Sequence, residues 1–179
     1  MVQRHAGDVG VEPLGASLLD ASSAERISDR EVVFTRLVDA PRERVWMIWT
    51  EVRHLHQWWG PTGFTTTTHE FTFGPDGVWR FVMHGPDGTD YPNRIVFREI
   101  DPPARIVYEN GWDLPGAPLD FTVVVALVPD GKKTRLSLHM TFRDADALRV
   151  AVERYGVMHG GTQTLDRLAG YLHELVRAS

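Results

Sequence analysis

Alternation of apolar and polar side chains dominates the middle of this chain. In residues 133–142, Leu136, Leu138, Met140 and Phe142 alternate with Arg135, Ser137, His139 and Thr141. In residues 78–84, Trp79, Phe81 and Met83 alternate with Arg80 and His84. A period of two predicts strands with one buried face. Further strands are predicted near 64–73, 91–100, 104–110 and 120–128, and an earlier one over 31–39 from Val32, Val33, Phe34, Leu37 and Val38. The stretch from Phe121 to Val128 is apolar on both faces, which predicts a central strand or one covered on both sides. Pro-Asp-Gly turns at 75–77, 86–88 and 129–131 punctuate the run. The short links make the set of about seven strands mostly antiparallel.

The period changes twice along the chain. After Ala40-Pro41, with Pro suited to a first helical position, Val45, Trp46, Ile48 and Trp49 give a helix an apolar face. Thr50 is predicted to cap a second short helix carrying Leu55, Trp58 and Trp59. Gly60-Pro61 stops that helix, and Gly63 sits just before a Thr-rich strand. This Trp-Trp-Gly-Pro stretch marks where one side of the sheet stays open and a pocket can form. Near the C-terminus, Asp144 caps a segment with Leu148, Ala151, Val152 and Tyr155 that stops at Gly156. Met158, Gly161, Leu165, Leu168, Leu172 and Leu175 then draw one stripe at spacings of three and four. A long amphipathic helix following a one-sided sheet is predicted to cross its buried face.

Composition narrows the function. With 179 residues, one domain with a real core is expected. Residues 1–28 read as a separate extension and 29–179 as the domain. Leu14, Leu18 and Leu19 form either part of a mobile tail or a short helix docking on the domain or, in a homodimer, on a second copy. A net charge of −5 and the lack of a long basic run argue against nucleic acid. No apolar run is long enough to span a bilayer, and the first residues lack a signal-peptide pattern, so a cytoplasmic protein is expected. There is no cysteine, which removes disulfides and thiolate metal sites. His54 and His56 lie two apart on a predicted helix and point to different sides, while His69, His84, His139 and His159 are scattered. No metal and no cofactor are expected. No nucleophile elbow, P-loop or dinucleotide fingerprint is present.

Several runs together carry a resemblance: Asp39-Ala40-Pro41-Arg42-Glu43-Arg44-Val45-Trp46, Trp58-Trp59-Gly60-Pro61, the stretch from Gly85 to Pro92, Arg98-Glu99-Ile100, and the stretch from Gln163 to Leu168. Over residues 30–176 the chain resembles the bacterial branch of the heat-shock-protein-90 ATPase activator homologue family, within the START-like (SRPBCC) superfamily. The resemblance implies an α+β helix-grip fold, a curved antiparallel sheet wrapped around the C-terminal helix with a cavity between them. It implies a small hydrophobic ligand. In eukaryotic members a separate larger domain contacts the chaperone, and about 28 extra residues are too few for it, so no stimulation of the chaperone ATPase is expected.

The candidate lining is Trp58, Trp79, Phe81, Met83, Tyr91, Ile95, Phe97, Tyr108, Phe121, Phe142, Met158 and Leu165, with core filling the commoner role for any single one of them. Asn93 shares the inward parity of Ile95 and Phe97, as does Glu99 near the strand end. A carboxylate there would anchor a ligand, act as the acid or base of a polyketide cyclase-like enzyme, or pair with Arg94 or Arg105. His159 beside Gly160-Gly161 completes the candidates, where the long helix begins. The reading taken forward is a non-enzymatic binding domain.

Overall fold

The computed structural model describes residues 22–178. Eight strands form one antiparallel sheet: β1 (Ser23–Arg26), β2 (Glu31–Val38), β3 (Thr65–Phe71), β4 (Val78–His84), β5 (Asp90–Asp101), β6 (Arg105–Trp112), β7 (Leu119–Asp130) and β8 (Lys133–Phe142). Their spatial order is β1-β2-β8-β7-β6-β5-β4-β3. Helices α1 (Arg42–Thr50) and α2 (Val52–Trp58) join β2 to β3, and α3 (Ala145–Glu153) and α4 (Val157–Arg177) close the chain. This is the α+β helix-grip arrangement, with the sheet curved around α4.

The strand count exceeds the expected seven by one. The extra strand, β1, pairs with β2 from inside the expected extension, so residues 23–26 belong to the sheet. Ser-Ala-Glu-Arg has no apolar alternation; backbone pairing and a 2.7 Å hydrogen bond between the Ser23 and Thr35 hydroxyls hold it at the edge. Leu14, Leu18 and Leu19 lie outside the described residues. β7 is central rather than covered on both sides: Val123, Val125 and Leu127 are buried, while Val128 on the opposite face is 55% exposed. The expected cap at Thr50 is also corrected. Thr50 ends α1, its hydroxyl donating to the Trp46 carbonyl at 2.9 Å, and Glu51 precedes α2. Asp144 does cap α3, accepting from the Ala147 amide at 2.7 Å.

Helix α4 buries Leu165, Leu168 and Leu172. Its first turn comes very near the sheet because Gly160 and Gly161 lack side chains. A Cβ at Gly161 would stand 2.5 Å from the Phe34 ring on β2, and one at Gly160 would stand 3.2 Å from Pro61. Further along, Arg167 reaches the end of α2. Its guanidinium donates to the carbonyls of Gly60 at 2.9 Å and Pro61 at 3.0 Å, and more distantly to those of Gln57 and Trp59. A cation at a helix C-terminus satisfies carbonyls that have no partner within the helix. Gly60 and Gly63 both take positive φ, which lets the loop fold back beneath this guanidinium.

Candidate functional site

The inner face of the sheet is filled at one end and hollow at the other. At the filled end the α1–α2 hairpin presses aromatic rings onto β4 and β5. The Trp59 and Trp79 ring centres are 4.8 Å apart, and those of Trp79 and Phe81 are 4.0 Å apart. Trp79, Phe81, Ile95 and Phe97 are all at most 4% exposed. The gap remaining between Trp79, Ile95, Phe97 and Ile106 is about 10 Å³, too small for any ligand. Trp79, Phe81, Ile95 and Phe97 therefore do not line the hollow; the core claims them, because the hairpin supplies rings of its own there.

The hollow end is a cavity of about 780 Å³. That volume falls within the roughly 300–1,000 Å³ of small-molecule sites. Trp58, Met83, Tyr91, Asn93, Tyr108, Phe121 and Phe142, all singled out in the sequence, form part of its wall. Trp49, Trp59, Gly60, Pro61, Phe64, Asn110 and Trp112 join them without having been singled out as lining. The parity of β6 could have found two of these: Ile106, Tyr108, Asn110 and Trp112 share one face, and the predicted strand stopped at 110. Met158 is half-buried against the core, and Leu165 is buried in it; neither is in the wall. His159 is exposed, 3.0 Å from the Gln163 amide, and is not in the wall.

Glu99 is the clearest departure. In β5 the register shifts between Phe97 and Glu99, so Arg98 is an extra residue. A bulge of one residue inverts every later side chain. Ile100 takes the inward place, and Glu99 faces out, accepting from Arg105 at 2.9 Å. The role of cavity acid or base is thereby removed from Glu99, and the surface ion pair with Arg105 takes its place.

Polar groups cluster on the inner face of β5 and β6. Ile95 lies opposite Asn110, and Asn93 opposite Trp112, which makes Asn93 and Asn110 diagonal neighbours. The Asn93 amide nitrogen donates to the Tyr91 carbonyl at 2.9 Å, leaving its oxygen free to accept. Among the described residues nothing hydrogen-bonds to the Asn110 amide or the Tyr108 hydroxyl, though these residues are only 9% and 5% exposed. Burial drives the Tyr108 phenol far above its ordinary value, so it stays neutral. Both residues line the cavity, so their polar atoms meet water or a ligand there rather than dry core.

Charge is confined to the mouth, where α3 and the turn into α4 meet the start of β7. Val150 and Tyr155 in this part of the wall are 37% and 45% exposed. Asp120 lies here, its carboxyl raised above the ordinary range by burial while Arg143, 3.7 Å away, opposes the shift. No group of three or more metal-ligating side chains exists among the described residues, and no helix among them is long and apolar enough to cross a membrane.

The fold is shared with known proteins. The family described as "Activator of Hsp90 ATPase homolog 1-like protein" matches residues 39–173. A solution structure of a protein from Arthrobacter aurescens is 28% identical, covering 85% of this chain and 91% of that one, with a TM-score of 0.78. A crystal structure of a protein from Mycobacterium smegmatis has the same TM-score at 24% identity, covering 86% and 98%. An AHSA1 protein from Silicibacter pomeroyi superimposes with a TM-score of 0.65 at 22% identity, covering 83% and 99%. No curated protein matches the chain.

Proposed function

Since the chain belongs to the Activator of Hsp90 ATPase homolog 1-like family, we propose that it binds a small, largely hydrophobic molecule in the cavity between the sheet and α4. One observation carries this reading. The Tyr108 hydroxyl and the Asn110 amide line a largely apolar chamber without partners of their own among the described residues. A fold gains nothing from such groups, whereas a ligand bearing a hydroxyl or carbonyl would complete both. Their neutrality suits a ligand whose inner end carries no charge, because an ion buried there would lack a counter-charge.

The test is native mass spectrometry of the purified protein, with solvent extraction of whatever it carries. A discrete added mass is expected. It should be lost in the Tyr108→Phe, Asn110→Leu double variant, whose melting temperature should equal or exceed that of the ligand-stripped parent. A parent that is bare, and that also shows no thermal shift across a set of hydrophobic metabolites, would reject the reading.

A further inference from the structure

The two ends of the cavity differ in chemistry, and that difference restricts the ligand. At the inner end Asn93, Asn110 and Tyr108 offer neutral donors and acceptors. At the mouth the side chains that have no partner are donors. Arg154 has no carboxylate partner among the described residues; its guanidinium stands 5.5 Å from the centre of the Tyr155 ring. The other ions at or beside the mouth are paired, two arginines with four carboxylates: Arg143 with Asp120 at 3.7 Å and Asp144 at 3.3 Å, and Arg149 with Asp146 and Glu153, each at 3.1 Å. The Trp112 indole, whose ring centre is 5.6 Å from that of Tyr155, can only donate, and no described residue accepts from it. An arginine cannot lose its proton at ordinary pH, so Arg154 is a permanent unmatched cation beside an apolar chamber.

We infer that the ligand is an amphipathic organic acid, held with its carboxylate at Arg154 in the mouth, its apolar body in the chamber, and a hydroxyl or carbonyl at the Asn110–Tyr108 end. The inference rests on the ligand-binding reading above. It adds a direction of insertion. The acid end stays with the mouth's solvent-exposed cation, and the end that must leave water is the neutral one.

Calorimetric titration with four probes, decanoic acid, ω-hydroxydecanoic acid, decanol and methyl decanoate, separates the two ideas. Decanoic acid should bind about fivefold more tightly than decanol or the ester, the scale of a solvent-exposed charge pair. The ω-hydroxy acid should bind more tightly still. Arg154→Gln should abolish the acid's advantage, and Asn110→Leu the advantage of the ω-hydroxyl. Arg105→Gln, which removes a surface charge remote from the wall, should retain both. Equal binding of acid, alcohol and ester, or an acid preference that survives Arg154→Gln, would overturn the inference while the cavity reading stands. Failure of all four probes to bind would overturn both.

Discussion

β5 and β6 each run through two environments. On β5, Tyr91 and Asn93 face the hollow, while Ile95 and Phe97 lie under the helical hairpin. On β6 the sequence runs the other way, from Ile106 in the filled half, through Tyr108 at the divide, to Asn110 and Trp112 in the hollow. The same pleat and the same pairing serve both halves. What differs is the opposing layer: Leu55, Trp49 and Trp59 close over one half, while across the other the hairpin's indoles form only one side of the wall, and α3 with the glycine-bearing start of α4 forms another. The filled half is designed to be completed by its own rings. The hollow half keeps amides and a phenol that nothing in the described fold completes.

The largest effect that would sharpen this contrast comes from Trp79→Ala. It removes a buried ring whose indole also donates to the Thr68 hydroxyl at 2.9 Å, and should lower stability by about 3–5 kcal/mol in urea denaturation. Asn110→Leu at the hollow end should change stability by less than about 1 kcal/mol, since no hydrogen bond is lost. Similar losses at the two positions would break the contrast.

A smaller effect is expected along α4. Gly161→Ala sets a methyl against the buried Phe34 ring and should cost about 1–3 kcal/mol while narrowing the cavity. Gly170→Ala, with no atom within 4 Å of the added methyl, should instead stabilise by about 0.8–1 kcal/mol through helix propensity. Equal responses of the two glycines to thermal denaturation would show that close approach to Phe34 does not define the chamber.

The smallest effect concerns pH and belongs to the filled half. His54 on α2 is buried, its Nδ1 2.6 Å from the Tyr171 hydroxyl on α4 and its Nε2 3.7 Å from the Glu51 carboxylate. Burial holds the imidazole below its ordinary value, Arg53 adds to that, and Glu51 opposes it. An imidazole depressed in the fold takes up its proton more readily when unfolded. Its contribution is therefore complete above about pH 6.5 and declines as pH falls toward the folded-state value. The melting temperature should drop on acidification through this window, and His54→Gln should flatten part of the slope. An unchanged slope in that variant would remove His54 as its source.

Element order, strand faces and the course of α4 were legible because they depend on period alone. The bulge at Arg98 was not, because Phe97-Arg98-Glu99-Ile100 reads equally well as unbroken alternation carrying Glu99 inward. Backbone pairing with β6 decides the matter, and it is non-local. Division of the inner face into two halves was hidden for a similar reason. Tyr91 and Phe97 share one parity on one strand, and only the hairpin's position in space separates wall from core. Arg154 and Tyr155 were missed as site residues since the apolar spacing carried the predicted helix through Tyr155, whereas α3 ends at Glu153 and both residues stand in the wall.

The distribution of indoles gives the molecule a property apart from its stability. Of six tryptophans, Trp49, Trp58, Trp59 and Trp112 stand in the cavity wall, while Trp46 and Trp79 pack elsewhere. A guest entering the chamber would exchange the surroundings of four chromophores at once, and an aromatic guest would draw excitation energy from them. The protein thus carries its own optical gauge of occupancy. Its ultraviolet emission can be followed without a label as candidate molecules are added.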